Sequence, residues 1–254
     1  MNRTRNTPVK SVVTTFDVVE ALVDLDGARI GDLTEALEIP KSTVHDHVRS
    51  LVSLGYAKKD LDGYRVSTRF LEIGERARTQ MSIYDVAKPE VERLASETGQ
   101  HASLMVEENG RGVILYTSVG EQPVRLVTHD GTRTYLHTSA AGKAILGHLS
   151  RGQIERIIER TGLPKLTENT ITDPDELFAQ LEEIRERGYA INRGERLQGM
   201  QAVAAPILTH NDVVAGSVCV YGPYNRIEEE RFRSEIPDMV LQTANIIEVA
   251  LNYL

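Results

Sequence analysis

Between residues 12 and 25 the apolar side chains fall at Val12, Phe16, Val19, Leu22 and Val23, three and four positions apart. That is the stripe of an amphipathic helix, and Asp26-Gly27 ends it. A second, shorter helix is predicted over 31–38, where Leu33 and Leu37 stand one turn apart and Ile39-Pro40 closes the following turn. Ser42 or Thr43 is expected to cap a third helix whose inward face reads Val44, Val48, Leu51 and Val52, with Gly55 as its stop. Two short segments, 56–60 and 64–68, then flank Leu61-Asp62-Gly63, an Asp-Gly hairpin signal. Three helices and a hairpin, with a tight turn between the second and third helices, describe a winged helix-turn-helix.

Residues 69–80 read as a polar linking helix, and a further helix is expected over 83–98 despite Pro89. Past Gly99 the period changes from helical to strand-like. Segments 102–107 and 113–118 flank a glycine-rich turn at 108–112, and 124–128 and 133–136 flank His129-Asp130-Gly131, so two hairpins are predicted. Helices are expected over 140–149, 151–160 and 174–187, the last capped by Asp173-Pro174. Strands are expected at 189–193, 202–208 and 213–220, and one closing helix from 227 to 253. The expected fold is α+β: an N-terminal winged helix-turn-helix domain over 1–68, a linker helix over 69–81, and an antiparallel sheet flanked by helices over 82–254.

Composition narrows the class. Hydrophobic residues make up 41% and charged residues 26%, as in an ordinary folded domain. No apolar run approaches the roughly 20 residues that span a bilayer, and the basic stretch 1–11 lacks the apolar core of a signal peptide. No membrane partner and a cytoplasmic location are therefore expected. Cys219 is the only cysteine, which excludes an intrachain disulfide and a cysteine-based zinc finger. The net charge of −8 is unevenly spread: residues 1–80 hold 12 basic and 12 acidic side chains, so the whole excess of acid lies beyond them. DNA binding needs a local basic face rather than a basic protein, because phosphate contacts act over about a Debye length.

If Val44, Val48 and Leu51 pack inward, helical geometry sends Ser42, Thr43, His45, Asp46 and Arg49 outward. Those are short hydrogen-bonding groups at the helix start and a guanidinium further on, as a recognition helix requires. Lys41 suits a phosphate, Lys58, Lys59 and Arg65 on the hairpin can reach backbone or minor groove, and Arg3, Arg5 and Lys10 add non-specific attraction. Asp46 either accepts from a cytosine amino group or pairs with a neighbouring arginine, and His47 is expected to be half-buried. Three helices and a hairpin also occur in protein-interaction modules, so the alternatives at this point are a DNA reader and a small helical bundle with ordinary solvated charges. For the whole chain, a ligand sensor that acts through protein contacts without DNA is a further alternative.

Three ordered blocks carry a resemblance to a known family. They are the run IGDLTEALEIPKSTVHDHVRSLVSLGYAKKD with YRVSTRFLEIGERA, HTSAAGKAIL at 137–146, and GYAINRGERLQGMQAVAAPI at 188–207 with VVAGSVCVYGP at 213–223. Along nearly its whole length the sequence resembles the IclR family of transcriptional regulators. The resemblance implies a GAF-like effector domain for a small organic molecule, a double-stranded DNA operator, and assembly as a homodimer or homotetramer. By position in the matching motifs, Leu126, Ala140, Ala141, Asn192, Met200, Ala202, Cys219 and Tyr221 are implied to line the effector pocket. Asn192 stands where many members carry aspartate and Asp46 where many carry a basic residue, so ligand identity does not transfer.

The residues support a pocket independently. Ser139-Ala140-Ala141-Gly142 opens a helix with small side chains, and the amides of such a first turn attract anions. Asn192 and Tyr221 are expected to orient a ligand in a mostly apolar cavity. The alternative is that the same four residues merely pack an N-capped helix on the sheet. Catalysis is not expected: Cys219 sits in an apolar strand pattern, no nucleophile elbow, dinucleotide loop or metalloprotease pattern is present, and His101, His129 and His137 show no tight ligand spacing. No cofactor and no metal are called for. The expected function is sequence-specific transcriptional regulation, with DNA binding modulated by an effector that is an organic acid or sugar-derived.

Overall fold

A computed structural model describes residues 9–120 and 128–253, and the chain divides into two compact units, Met1–Ala77 and Arg78–Leu254. In the first unit, α1 (Lys10–Asp24), α2 (Ile30–Leu37) and α3 (Lys41–Ser53) are followed by the hairpin β1 (Ala57–Lys59) and β2 (Tyr64–Val66). The three helices share a core of Val18, Leu22, Leu33, Val44, Val48 and Leu51, all buried. Val52, expected on that inward face, is exposed. Neither Ser42 nor Thr43 caps α3: Pro40 is the N-cap, and both hydroxyl residues lie inside the first turn. Proline fits that boundary because its fixed φ and missing N–H cost nothing before a helix has begun to bond. Between α2 and α3 the chain reverses at Glu38, which adopts a left-handed conformation.

The hairpin turn is built by Asp60, whose Oδ1 accepts the amides of Asp62 and Gly63 at 3.0 Å each. Gly63 has φ +145, and a Cβ there would stand 2.5 Å from the Ala28 carbonyl oxygen. The glycine lets the hairpin bridge through Tyr64 to Ala28 in the α1–α2 connection.

The division between the units falls within α4 (Arg69–Thr79). The second unit opens with α5 (Ser82–Thr98) and continues through β3 (His101–Glu108), β4 (Arg111–Ser118), β5 (Arg133–Tyr135), α6 (Ala140–Leu146), α7 (Arg151–Thr161), α8 (Pro174–Arg187), β6 (Ala190–Arg193), β7 (Met200–Leu208) and β8 (Val214–Pro223). It closes with α9 (Glu229–Arg233) and α10 (Glu235–Asn252). The six strands form one sheet in the order β5-β4-β3-β8-β7-β6 with every pairing antiparallel.

Strand periodicity sorts the side chains cleanly. Ala102, Leu104, Val106, Val203, Ala205, Val218 and Val220 face the layer made by α5, α9 and α10. Their alternates Met105, Ala204 and Cys219 face α6, α7 and α8. Helices cover both faces.

Three expectations are corrected, and a fourth falls partly outside the described residues. The turn between β3 and β4 is only Asn109-Gly110, with φ +57 and +80, a geometry that suits a tight hairpin. Residues 133–135 pair with β4, Arg111 opposite Tyr135, while residues 124–127 of the second expected hairpin lie outside the described residues. The helix expected over 140–149 ends at Leu146, before Gly147. The closing helix is two helices broken at Ser234. Pro237 explains the break: in a continuous helix its ring would clash with the Arg233 carbonyl and leave that oxygen without a donor.

His137 lies buried in the turn before α6, with Nε2 at 3.2 Å from the Pro164 carbonyl, and burial holds its pKa below the ordinary 6.5. A depressed folded pKa means that the unfolded chain takes up the proton first, so this residue's contribution is complete above about 6.5 and declines as pH falls below it. Urea midpoints measured from pH 8 to pH 5 should therefore decline less steeply in His137→Gln than in the native chain; parallel curves would contradict this.

Candidate functional site

The first candidate surface is the outer face of α3. With Val44 and Val48 fully buried, Lys41, Ser42, His45, Asp46 and Arg49 are exposed and Thr43 is half-buried. His47 is half-buried and its Nδ1 lies 2.8 Å from the Thr15 hydroxyl, so this side chain joins α3 to α1. Among the described residues no arginine pairs with Asp46; its carboxylate lies 3.6 Å from the His45 ring. Lys58 is exposed on the hairpin opposite Arg65. Arg65 is already engaged, by Asp26 at 2.9 Å and Asp60 at 3.2 Å, and lies against Gly27. It would have to leave those carboxylates to meet a phosphate. Arg3 and Arg5 lie outside the described residues.

The second candidate site is a cavity of about 610 Å³ in the second unit, on the sheet face that carries α6. Ala140, Ala141, Asn192, Met200, Ala202, Cys219 and Tyr221 all line it, and Leu126 lies outside the described residues. Sheet alternation accounts for this: Cys219 and Tyr221 share one face of β8, and Ser103 and Met105 share the matching face of β3. Burial pushes both the Cys219 thiol and the Tyr221 phenol up to about 12, so both are protonated and neutral near pH 7. The Tyr221 ring is stacked on His101, with centroids 5.3 Å apart.

Two expected roles change. Asn192 lines the cavity, but its Nδ2 donates to the Thr138 carbonyl at 2.8 Å and its Oδ1 accepts the Glu195 amide at 3.3 Å. It holds the wall together before it offers anything to a ligand. In the first turn of α6, the Ser139 hydroxyl accepts the Gly142 amide at 3.1 Å. A Cβ on Gly142 would stand 2.1 Å from the Leu136 carbonyl oxygen, so this glycine is a packing requirement. The packing reading of that turn accounts for Gly142, while Ala140 and Ala141 face the cavity.

Sequence reasoning missed Arg196 and Lys143. Arg196 stands between Gly194 and Gly199, both at positive φ, and lines the cavity. Lys143, on α6, is fully buried; its Nζ donates to Glu195 at 2.6 Å and to the Gln180 Oε1 at 2.7 Å. Burial lowers the Lys143 pKa and raises that of Glu195, and their mutual attraction opposes both shifts. The Glu195 carbonyl is held from the other side by the Thr170 hydroxyl at 2.6 Å. The signal for this pair was 52 residues of separation in sequence, which no local pattern reports. Among the described residues, no group of three His, Cys, Asp or Glu side chains is placed to hold a metal, and no helix is long and apolar enough to cross a membrane.

A helix-turn-helix unit that presents a polar helix face, followed by an α+β unit with a ligand-sized cavity, is the build of a ligand-responsive DNA-binding regulator. The comparisons with known proteins agree. Residues 11–61 match the IclR helix-turn-helix domain and residues 76–249 match the C-terminal domain of bacterial IclR transcriptional regulators. The chain is 35% identical to the probable HTH-type transcriptional regulator ArcR of Halobacterium salinarum over 96% of its own length and 94% of that protein. Among solved structures, IclR of Thermotoga maritima superposes with a TM-score of 0.79 at 26% identity, covering 96% of this chain and 99% of the other. An IclR homolog of Microbacterium hydrocarbonoxydans complexed with 4-hydroxybenzoate shares the fold, with a TM-score of 0.77 at 23% identity over 93% of this chain and 98% of the other. The chain belongs to the IclR family of transcriptional regulators, whose members regulate transcription and are not enzymes.

Breaking one partner of a buried ion pair leaves an uncompensated charge, which typically costs about 3–5 kcal/mol. Lys143→Met should therefore lower stability by about that amount in urea unfolding, and adding Glu195→Leu should recover much of it. A Lys143→Met protein as stable as the native chain would show that the pair does not hold the wall.

Proposed function

We propose that this chain binds a duplex operator sequence-specifically, as a homodimer or homotetramer in the cytoplasm, and that a small organic acid in the cavity of the second unit sets how tightly it does so. The carrying observation for DNA is the outer face of α3, where Ser42, His45, Asp46 and Arg49 are exposed and Thr43 is half-buried beside the core that Val44, Val48 and Leu51 complete. Direct readout falls to those side chains, with Lys41 and Lys58 on phosphates. Arg65 joins them only by leaving Asp26 and Asp60. Two α3 helices would read half-sites of an inverted repeat about 34–36 Å apart.

For the effector, the expectation was an organic acid or a sugar derivative. The largely apolar lining of the cavity and the presence of Arg196 in it favour the acid, and the 4-hydroxybenzoate complex of the Microbacterium homolog is in keeping with it. Ala140, Ala141, Met200, Ala202, Cys219 and Tyr221 form the contact wall in this reading, with Asn192 bracing it.

The route to α4 runs through Arg78, in the last turn of that helix. Its guanidinium donates to the Leu115 carbonyl and pairs with Asp130. Asp130 lies between His129 and Gly131, which line the cavity. A ligand that rearranges this loop biases Arg78, and the shift in DNA affinity is limited to the ligand's differential affinity for the two arrangements.

Two measurements test this reading. Arg49→Ala should weaken binding to the chain's own upstream DNA by about 1–3 kcal/mol in fluorescence anisotropy, with a smaller loss on a scrambled duplex. Equal losses on both would remove Arg49 from base readout, and no binding of the native chain at low salt would end the DNA reading. Asp130→Asn should leave effector affinity within about twofold, an outcome expected of an exposed ion pair, while shrinking the effector's influence on DNA affinity.

A further inference from the structure

We infer that the cavity is a receptor for a single carboxylate carried on an apolar body, and that the Arg196 guanidinium is the group that reads its charge. The inference rests on the effector reading above and narrows it.

Arg196 follows an acid in sequence, and the fold keeps the two apart. Glu195 turns down to Lys143 and Gln180, while its backbone is fastened by the Thr170 hydroxyl and that of Gly194 by the Thr167 hydroxyl at 2.7 Å. The one carboxylate that could neutralise Arg196 from next door is thereby already spent. Among the described residues no other acid pairs with Arg196; the ionisable groups nearest in electrostatic effect are Tyr221 and Cys219, both neutral near pH 7. A guanidinium keeps its proton, so the half-buried Arg196 faces a largely apolar cavity with no acid paired to it among the described residues. A bound anion supplies that partner.

The rest of the wall decides what that anion is. Arg133 also lines the cavity, but Glu108 pairs with it, so among the described residues that second arginine is already neutralised and Arg196 is left to meet a single negative charge. Met105, Ile114, Leu197 and Met200 offer apolar contact to a hydrocarbon body, while polar side chains such as Ser103, Thr132 and Gln201 occupy other parts of the wall. The planar fork of arginine matches a carboxylate in bidentate geometry. A volume of about 610 Å³ is within the usual range for drug-sized ligands and leaves a two- or three-carbon acid loosely held. An aromatic acid and a medium-chain fatty acid share the required chemistry, and the test separates them.

The test is isothermal titration of the full-length chain with benzoate, phenylacetate and octanoate, with their neutral counterparts benzamide and octanamide, and with succinate, glucose and glucose 6-phosphate. At least one monocarboxylate should bind, with its amide weaker by roughly 10- to 100-fold, the range of one charge-assisted contact. Benzoate or phenylacetate alone identifies an aromatic body, and octanoate alone an aliphatic one. Arg196→Gln should abolish the preference for acid over amide while keeping its thermal midpoint and its DNA affinity, and Arg196→Lys should restore part of it. Equal affinity of acid and amide, unchanged acid binding in Arg196→Gln, or a preference for succinate or a sugar would overturn the inference and leave the cavity as an effector site of another chemistry. Binding by nothing in the panel, with DNA affinity unmoved by every compound, would overturn the effector reading as well.

Discussion

The buried contact between Lys143 and Glu195 is the constraint on which the second unit's site depends. It joins α6 to the loop between β6 and β7 across 52 residues, and both elements are cavity walls. A buried ion pair is an expensive way to hold two segments, since desolvation offsets much of the attraction, and its usual dividend is geometry rather than stability. Here the geometry is specific. With Glu195 fixed beneath the wall, Arg196 is left on the cavity side, and Asn192 is drawn into the same scaffold through the Glu195 amide. A packed apolar pair would have held α6 in place equally well and left an acid out of the loop; it would not have parked that acid away from its neighbour.

The two units obey different physics. In the first, a small apolar core fixes three helices so that the polar face of α3 stays outward, and function is expected at a surface. In the second, both faces of the sheet are covered, so function is expected at a cavity, where alternation sends Ser103 and Met105 of β3 and Cys219 and Tyr221 of β8 toward it. Surface recognition of a polyanion depends on salt and on long side chains; recognition in a cavity depends on burial and on the few polar groups left without partners.

What the sequence disclosed follows from this division. The α3 face was legible because Val44, Val48 and Leu51 recur at helical spacing, and the hairpin because Asp62-Gly63 is a local signal. Seven of the eight pocket positions implied by family resemblance line the cavity, and the eighth, Leu126, lies outside the described residues. The misses are those in which a residue's meaning is set at a distance. Pro237 breaks the closing helix at Ser234, three residues upstream of itself. Asn192 reads as a free ligand donor until its two amide bonds are traced. Arg196 sits in a polar, glycine-flanked stretch that looks like an exposed loop, and Lys143 looks like any helix lysine until Glu195 is found beside it.

The central claim is that one chain couples the α3 surface to the cavity. Linkage makes that claim exact in form: if a ligand changes operator affinity by some factor, operator DNA must change the ligand's affinity by the same factor. The direct measurement is the affinity of the full-length chain for a bound monocarboxylate with and without saturating operator, set against operator affinity with and without saturating monocarboxylate. The account predicts two equal ratios that both differ from one. Two ratios of one would mean that the cavity and the DNA surface share a polypeptide and nothing else.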